Sequence, residues 1–505
     1  MARDEPVHGG GELASAGGET ISPRPKLRLG LKLGYAAGAL LDGVATQAVN
    51  IFLFFYATTV CGAPAALAGV AIAAGLVVDA LIDPMIGSAS DACRSRFGRR
   101  LPFMMWGAPA TALFLVLIFS LPEALSGVGL VAWITVLSIC LRVSISLYLL
   151  PFNAVGAELS EDYAERSSIA AWRWGAAMAG ALTAVLLGFG VFFSGPEGLA
   201  KRAAYTPFGV SIALVALVGA GLAMRALMLT RDRQNPPPRE TGPAHTRFVR
   251  AVGEIFANPS FRVLFAGAIL LFSALSVHST LGLHANTYFW RLEPKQTQAV
   301  TLALFAGLLL GAPLAGPLLR RLEKRVVLLI GIGGMGLALA GPAVLRLAGL
   351  LPLEGGQLVL LLAGALFFGG VLMAAAAIAF VSMMADAADE HEYLFGARRE
   401  GLYFAGWAFA SKAAAGLGAL IAGLGLELVG FKSHGGSVAQ ALSPRTIEWI
   451  GALYGPGAGA LALAAAATCL FYRLDAARHA RMLAVLRTRR AGQTEPDSTV
   501  QETAA

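Results

Sequence analysis

Apolar stretches of about twenty residues or more follow one another from residue 33 to residue 474, and nothing else constrains the chain as strongly. A hydrocarbon core of ~30 Å takes ~20 residues of helix to cross. A backbone N–H or C=O left unpaired in lipid costs several kcal/mol, so each stretch is expected to cross as a helix. Twelve are read, at 33–60, 65–90, 103–121, 128–158, 169–193 and 205–230, then 261–290, 297–319, 326–347, 357–385, 401–429 and 447–474. Of 505 residues 56% are hydrophobic and only 14% charged, which excludes both a water-soluble globule and a disordered chain. The sixty glycines suit membrane helices whose backbones approach closely.

Charge placement gives the expected organisation. Residues 1–22 are polar and glycine-rich, and positive charge enters only with Arg24, Lys26, Arg28 and Lys32. That is not a cleavable-signal pattern, so the first span is expected to stay attached. Basic loops remain cytoplasmic, which puts the amino terminus and the loop with Arg94, Arg96, Arg99 and Arg100 inside and the uncharged turn at 61–64 outside. The expected units are a polar segment 1–32, a six-helix half 33–230, a cytoplasmic linker 231–260, a second six-helix half 261–474 and a tail 475–505. The run RDRQNPPPRE in the linker cannot continue a helix. The tail is basic and then polar, and is expected to be cytoplasmic and mobile. The net charge of +8 is dispersed rather than gathered in a stripe, so no nucleic-acid partner is expected. Cys61, Cys93, Cys140 and Cys469 have no paired or metal-type spacing.

Two halves of six spans imply a duplication, and the sequence carries an echo of it. DPMIGS at 83–88 aligns with APLAGP at 312–317: Pro84 matches Pro313, Gly87 matches Gly316, and each segment runs into a basic loop. The acids do not repeat, because Asp83 falls on Ala312 and Asp79 on Leu308. An ion site is therefore expected in the amino-terminal half alone.

Ionisable side chains at membrane depth are expensive and are functional candidates by default. Six stand out: Asp42, Asp79, Asp83, Arg142, Arg173 and Lys412, three potential anions against three cations. Asp79 and Asp83 are spaced i, i+4 and share a helix face. Neighbouring carboxylates either share a proton, since like charges resist double ionisation, or share a hard cation such as Na+. Lys412 lies eleven residues into its span, about 16 Å deep at the helical rise, too far to reach water easily. Arg142 is open between a cavity role and a packing role with Asp42 or Asp79. His278 and His284 are i, i+6 apart and are read as hydrogen-bonded or interfacial residues. Tyr288 and Trp290 are read as an interface belt.

Asp79-x-x-x-Asp83-Pro84-x-x-Gly87, followed by Arg96-Phe-Gly-Arg-Arg-x-Pro102-Phe103, resembles the signature of the glycoside-pentoside-hexuronide cation symporters, the melibiose-permease family of the major facilitator fold. ADAADEHEYLFGARREGLYFAGWAFASK at 385–412 is similar to that family's loop between spans ten and eleven, and the likeness extends over residues 32–474. It implies an all-α membrane protein of twelve transmembrane helices, with both termini cytoplasmic. By position it implies cation ligands at Asp79 and Asp83, the span-four hydroxyl at Ser146, the span-five arginine at Arg173 and the span-eleven lysine at Lys412. The chain departs from melibiose permease at Leu149, where that protein has its sugar-binding aspartate, and at Gly43, with Asp42 one residue away. Asn153 stands for a tryptophan and Ile82 for an asparagine.

The expected function is a cation-coupled secondary symporter of an organic solute, a sugar or glycoside, working by alternating access, with no enzymatic activity and no cofactor beyond the coupling ion. The cation site is Asp79, Asp83 and Ser146; Asp42, Arg142, Asn153, Arg173 and Lys412 serve substrate and coupling. Two carboxylates hold a proton without the oxygen that Ile82 denies to Na+, so H+ is expected over Na+ at Asp79 and Asp83. A lysophospholipid-like amphiphile is the alternative cargo, since a lipid-carrying branch similar to this family keeps the acids and the lysine; a passive channel or a transport-dead sensor is the alternative class. The expected setting is the plasma (inner) membrane, as a monomer in the bilayer with a small-molecule substrate.

Overall fold

The computed structural model describes residues 27–160, 162–195, 197–230, 253–397, 399–431 and 442–494. The expected amino-terminal segment up to residue 26, the linker from 231 to 252 and the tail beyond 494 lie outside the described residues. Among the described residues every regular element is a helix, and twelve helices are long and apolar enough to cross a membrane. The first half holds α1 (Leu29–Leu53), α2 (Ala65–Ala92), α3 (Leu101–Ile118), α4 (Gly127–Glu158), α5 (Ala164–Phe192) and α6 (Tyr205–Leu229). The second holds α7 (Pro259–Phe289), α8 (Pro294–Arg321), α9 (Lys324–Leu347), α10 (Gly355–Phe395), α11 (Glu400–Leu428) and α12 (Pro444–Cys469). A further helix, α13, spans Ala476–Thr494.

The duplication read from the sequence recurs in the packing. In the first half α2 and α3 pack on α4, α1 on α5 and α6, and α3 on α6. In the second half α8 and α9 pack on α10, α7 on α11 and α12, and α9 on α12. Pro84 and Pro313 both sit inside the second helix of their half. Each half is braced at its basic-loop end: Arg99 and Arg100 pair with Glu158 at the end of α4, and Lys324 at the start of α9 pairs with Asp386 on α10 at 2.6 Å.

The halves meet along α2 and α11, and along α5 and α8. Toward the turn at Cys61 this contact is tight because glycines face each other. A Cβ on Gly69 would stand 2.7 Å from the Ala419 carbonyl oxygen, and one on Gly423 2.5 Å from that of Ala65. Glu427 accepts a hydrogen bond from the Ala66 N–H at 3.0 Å, placing a carboxylate at the positive end of the α2 dipole. Beside it the His284 Nε2 lies 3.0 Å from Thr58 Oγ1. Thr58 already donates its proton to the Phe54 carbonyl, so His284 is the donor and carries its proton on Nε2. The halves are thus locked together at the Cys61-turn end.

Three expectations are corrected. Residues 476–494 are expected to be mobile but form α13, which docks on α10: Met482 and Leu486 are buried, Arg478 reaches Glu390 at 3.4 Å and His479 reaches Asp389 at 3.2 Å. Its alternation of Arg with Met and Leu is amphipathic rather than disordered. The docking site exists because α10 continues ten residues past its expected end at 385, through a polar stretch in which Asp386, Glu390 and His391 are buried. Trp290 is no interface residue. It is 3% exposed and lies under the Arg346 guanidinium, 5.3 Å from its ring centre, a cation–π contact inside the second half.

Candidate functional site

The acid pair of α2 meets the lysine of α11 between the two halves. Lys412 Nζ is 2.9 Å from Asp79 Oδ2 and contacts Asp83 Oδ2 directly. Ser146, on α4, donates to Asp79 Oδ1 at 2.5 Å. The four residues come from three helices and both halves. Asp79 is nearly sealed, with its side chain 6% exposed, whereas Asp83 and Lys412 keep 21% and 28%. Asp83 Oδ1 is buried and accepts no hydrogen bond among the described residues. Proline has no N–H, so Pro84 also frees the Ala80 carbonyl from its helical donor. Within this contact set two carboxylates face one ammonium.

The other intramembrane charges form a second tier. Arg142 on α4 makes no ion pair within 4 Å among the described residues, yet it stands within electrostatic reach of both Asp79 and Asp42. Asp42 accepts from Thr46 Oγ1 at 3.1 Å and is acted on by Arg142, Arg173 and Lys412. Arg173 donates to Asn153 Oδ1 at 2.6 Å and lies beside the Tyr35 hydroxyl. All eight expected site residues therefore belong to one electrostatic cluster. Asp79, Asp83, Ser146 and Lys412 touch, while Asp42, Arg142 and the Arg173–Asn153 pair surround them at longer range.

Toward the Cys61-turn end this cluster gives way to a cavity of about 460 Å³ between the halves, within the ~300–1,000 Å³ of pockets that enclose small molecules. Leu76 lies on its wall one turn before Asp79, and Ser411 precedes Lys412. Arg142 lines it directly and is the side chain common to the cavity and the ion cluster. Gln47 and Asn50 add amides from α1, and Ser276, Ser279, His278, Asn286 and Tyr454 add polar atoms from the second half. The expectation for His278 and His284 holds, because each is hydrogen-bonded. His278 stacks on Tyr454 with ring centres 4.1 Å apart and faces the cavity, whereas His284 belongs to the closed end. Gln47 and Asn50 escape a reading that weighs only charges; their i, i+3 spacing within an apolar span is the signal that marks them.

A family model described as MFS/sugar transport protein matches residues 34–476. The chain is 26% identical to the inner membrane symporter YicJ of Escherichia coli, over 84% of this chain and 87% of that protein. It is likewise 26% identical to the isoprimeverose transporter of Lactiplantibacillus pentosus, over 88% of each. Among solved structures, a D-xylose–proton symporter superposes with a TM-score of 0.61 at 15% identity, covering 88% of this chain and 98% of that one. At that identity the likeness is one of fold, the twelve-helix major facilitator arrangement. With two packed six-helix halves, an intramembrane ion cluster and a cavity between the halves, the chain is a multi-pass membrane transporter, and it belongs to the MFS/sugar transport protein family.

Proposed function

We propose that the protein is a proton-coupled symporter that carries a sugar or glycoside across the plasma (inner) membrane, acting as a monomer, with its basic loops and both termini on the cytoplasmic side. The observation that carries this reading is the link between ion cluster and cavity through Arg142. Within the acid pair, Asp83 Oδ1 is the buried oxygen with no donor among the described residues, which favours Asp83 as the protonation site. A proton on Asp83 leaves Lys412 to Asp79 alone, which weakens the pull of Asp79 on Arg142, so the cavity wall changes with the protonation state. Na+ would compete with Lys412 for the same oxygens, and Ile82 supplies none.

Alternating access follows from the asymmetry of the contacts. The Thr58–His284 and Ala66–Glu427 bonds close the Cys61-turn end, taken as outside by the placement of basic loops. Opening that end requires breaking them and forming contacts at the other. A lysophospholipid-like amphiphile is the second reading, favoured by the apolar side chains of the second half that face the cavity. Counterflow in reconstituted vesicles tests the class. A carrier loaded internally with methyl glycoside or lysolipid concentrates labelled solute transiently from outside. Downhill flux without counterflow makes it a channel, and binding without flux makes it a sensor. Concentration of labelled lysolipid but no glycoside favours the second reading.

A further inference from the structure

We propose that the carboxyl-terminal half holds a subsite for one apolar group of the cargo, an aryl or alkyl substituent attached to a polar head; this rests on the transport reading above. Both walls are mixed, with Phe54, Ile72 and Leu76 on the amino-terminal side and Ser276, Asn286 and Tyr454 on the other, but the apolar side chains of the second half are grouped on three packed helices. On the amino-terminal side the head would meet Gln47, Asn50 and Arg142. On the other side α8, α9 and α10 present Leu304, Phe305, Leu308, Met335, Leu366 and Met373. Met335 and Met373, 2% and 9% exposed, floor the pouch that these side chains form.

The internal repeat explains how the pouch arose from an ion site's counterpart. Pro313 and Gly316 keep the architecture of Pro84 and Gly87, but the position of Asp79 is Leu308 and that of Asp83 is Ala312. Where the first half turns an acid toward an ion, the second turns a leucine toward the cavity. A wall of this kind against a wet cavity is unfavourable until apolar surface covers it. Two methionines at its inner end fit substituents of more than one shape, since the thioether chain repacks readily. A bare hexose, hydroxylated over its whole surface, would leave its hydroxyls unpaired there.

The experiment is binding to the full-length protein in vesicles. It uses methyl and phenyl glycosides of glucose, galactose, xylose and glucuronic acid, with lysophosphatidylcholine as a separate arm, read by competition and by thermal stabilisation. Burial of the aryl group should tighten binding of the phenyl over the methyl glycoside on the order of 10- to 100-fold. Leu308→Trp, which fills the pouch, should erase that ratio. Leu308→Ala, which enlarges it, should preserve a preference for the phenyl form and guards against a folding failure of the first variant. Equal affinity for methyl and phenyl glycosides in the wild type refutes the pouch and leaves the transport reading standing. Lysophosphatidylcholine bound in place of glycosides, and lost in Leu308→Trp, keeps the pouch and reassigns its occupant to an acyl chain. Failure of every compound to bind refutes the underlying reading and the pouch with it.

Discussion

Removing the Lys412 ammonium is the sharpest perturbation of the ion cluster. In Lys412→Ala the Asp79 and Asp83 carboxylates lose a cation 2.9 Å from one and in contact with the other. A unit-charge pair about 4 Å apart interacts by ~4 kcal/mol at an effective dielectric constant of ~20. Desolvation offsets part of this, and deleting one partner of a buried pair costs ~3–5 kcal/mol in practice. Asp83 and Lys412 retain 21% and 28% exposure, so water trims the penalty toward the lower end, about 3 kcal/mol. Thermal unfolding of purified wild type and Lys412→Ala reads this cost directly, and concentrative uptake should be lost. Adding Asp83→Asn to Lys412→Ala should recover much of the deficit, because one carboxylate no longer needs a counter-charge. A deficit below about 1 kcal/mol, or uptake unchanged in Lys412→Ala, would refute the role given to this lysine.

Asp83→Asn should abolish uphill uptake but retain solute exchange in vesicles, since an amide imitates the protonated acid but cannot release a proton; loss of both would indicate a structural role. Gly43→Ala should be destabilised by about 1–3 kcal/mol in thermal unfolding, because a Cβ there would stand 1.9 Å from the Ala177 carbonyl oxygen and force α1 from α5. Glu427→Ala removes the carboxylate at the α2 amino terminus and should raise alkylation of Thr59→Cys from the Cys61-turn side about two- to fivefold; an unchanged rate would show that the clasp does not hold that end closed.

The acid pair was legible because i, i+4 spacing places side chains together on any helix. Lys412 was legible because three buried anions need cations, although no sequence spacing links residue 412 to residue 79. Ser146 came only from the resemblance, since a hydroxyl in a long apolar span carries no charge signal of its own. The sequence was silent on the contacts that close the Cys61-turn end. Thr58, Thr59 and Glu427 read as ordinary span-end residues until α7 and α11 bring His284 and the α2 amino terminus against them. Trp290 matched an aromatic belt by position along its helix, but rotation about the helix axis, set by packing against Arg346, decides which way it faces. The stretch after residue 385 reads as a loop because Asp and Glu dominate it. It is helical because Lys324, Arg478 and His479 arrive from elsewhere to meet those acids.

The coupling ion is the central claim, and vesicles with an imposed gradient test it most directly. With Na+ absent on both sides and the exterior acidified, labelled solute should accumulate above its external concentration in wild-type vesicles and not in Asp83→Asn. Dissipating the pH gradient with a protonophore should abolish the accumulation. If uptake instead requires an inward Na+ gradient and ignores the pH gradient, the proton assignment is wrong. The Ala80 carbonyl freed by Pro84, together with Ser146, would then complete a Na+ shell around Asp79 and Asp83.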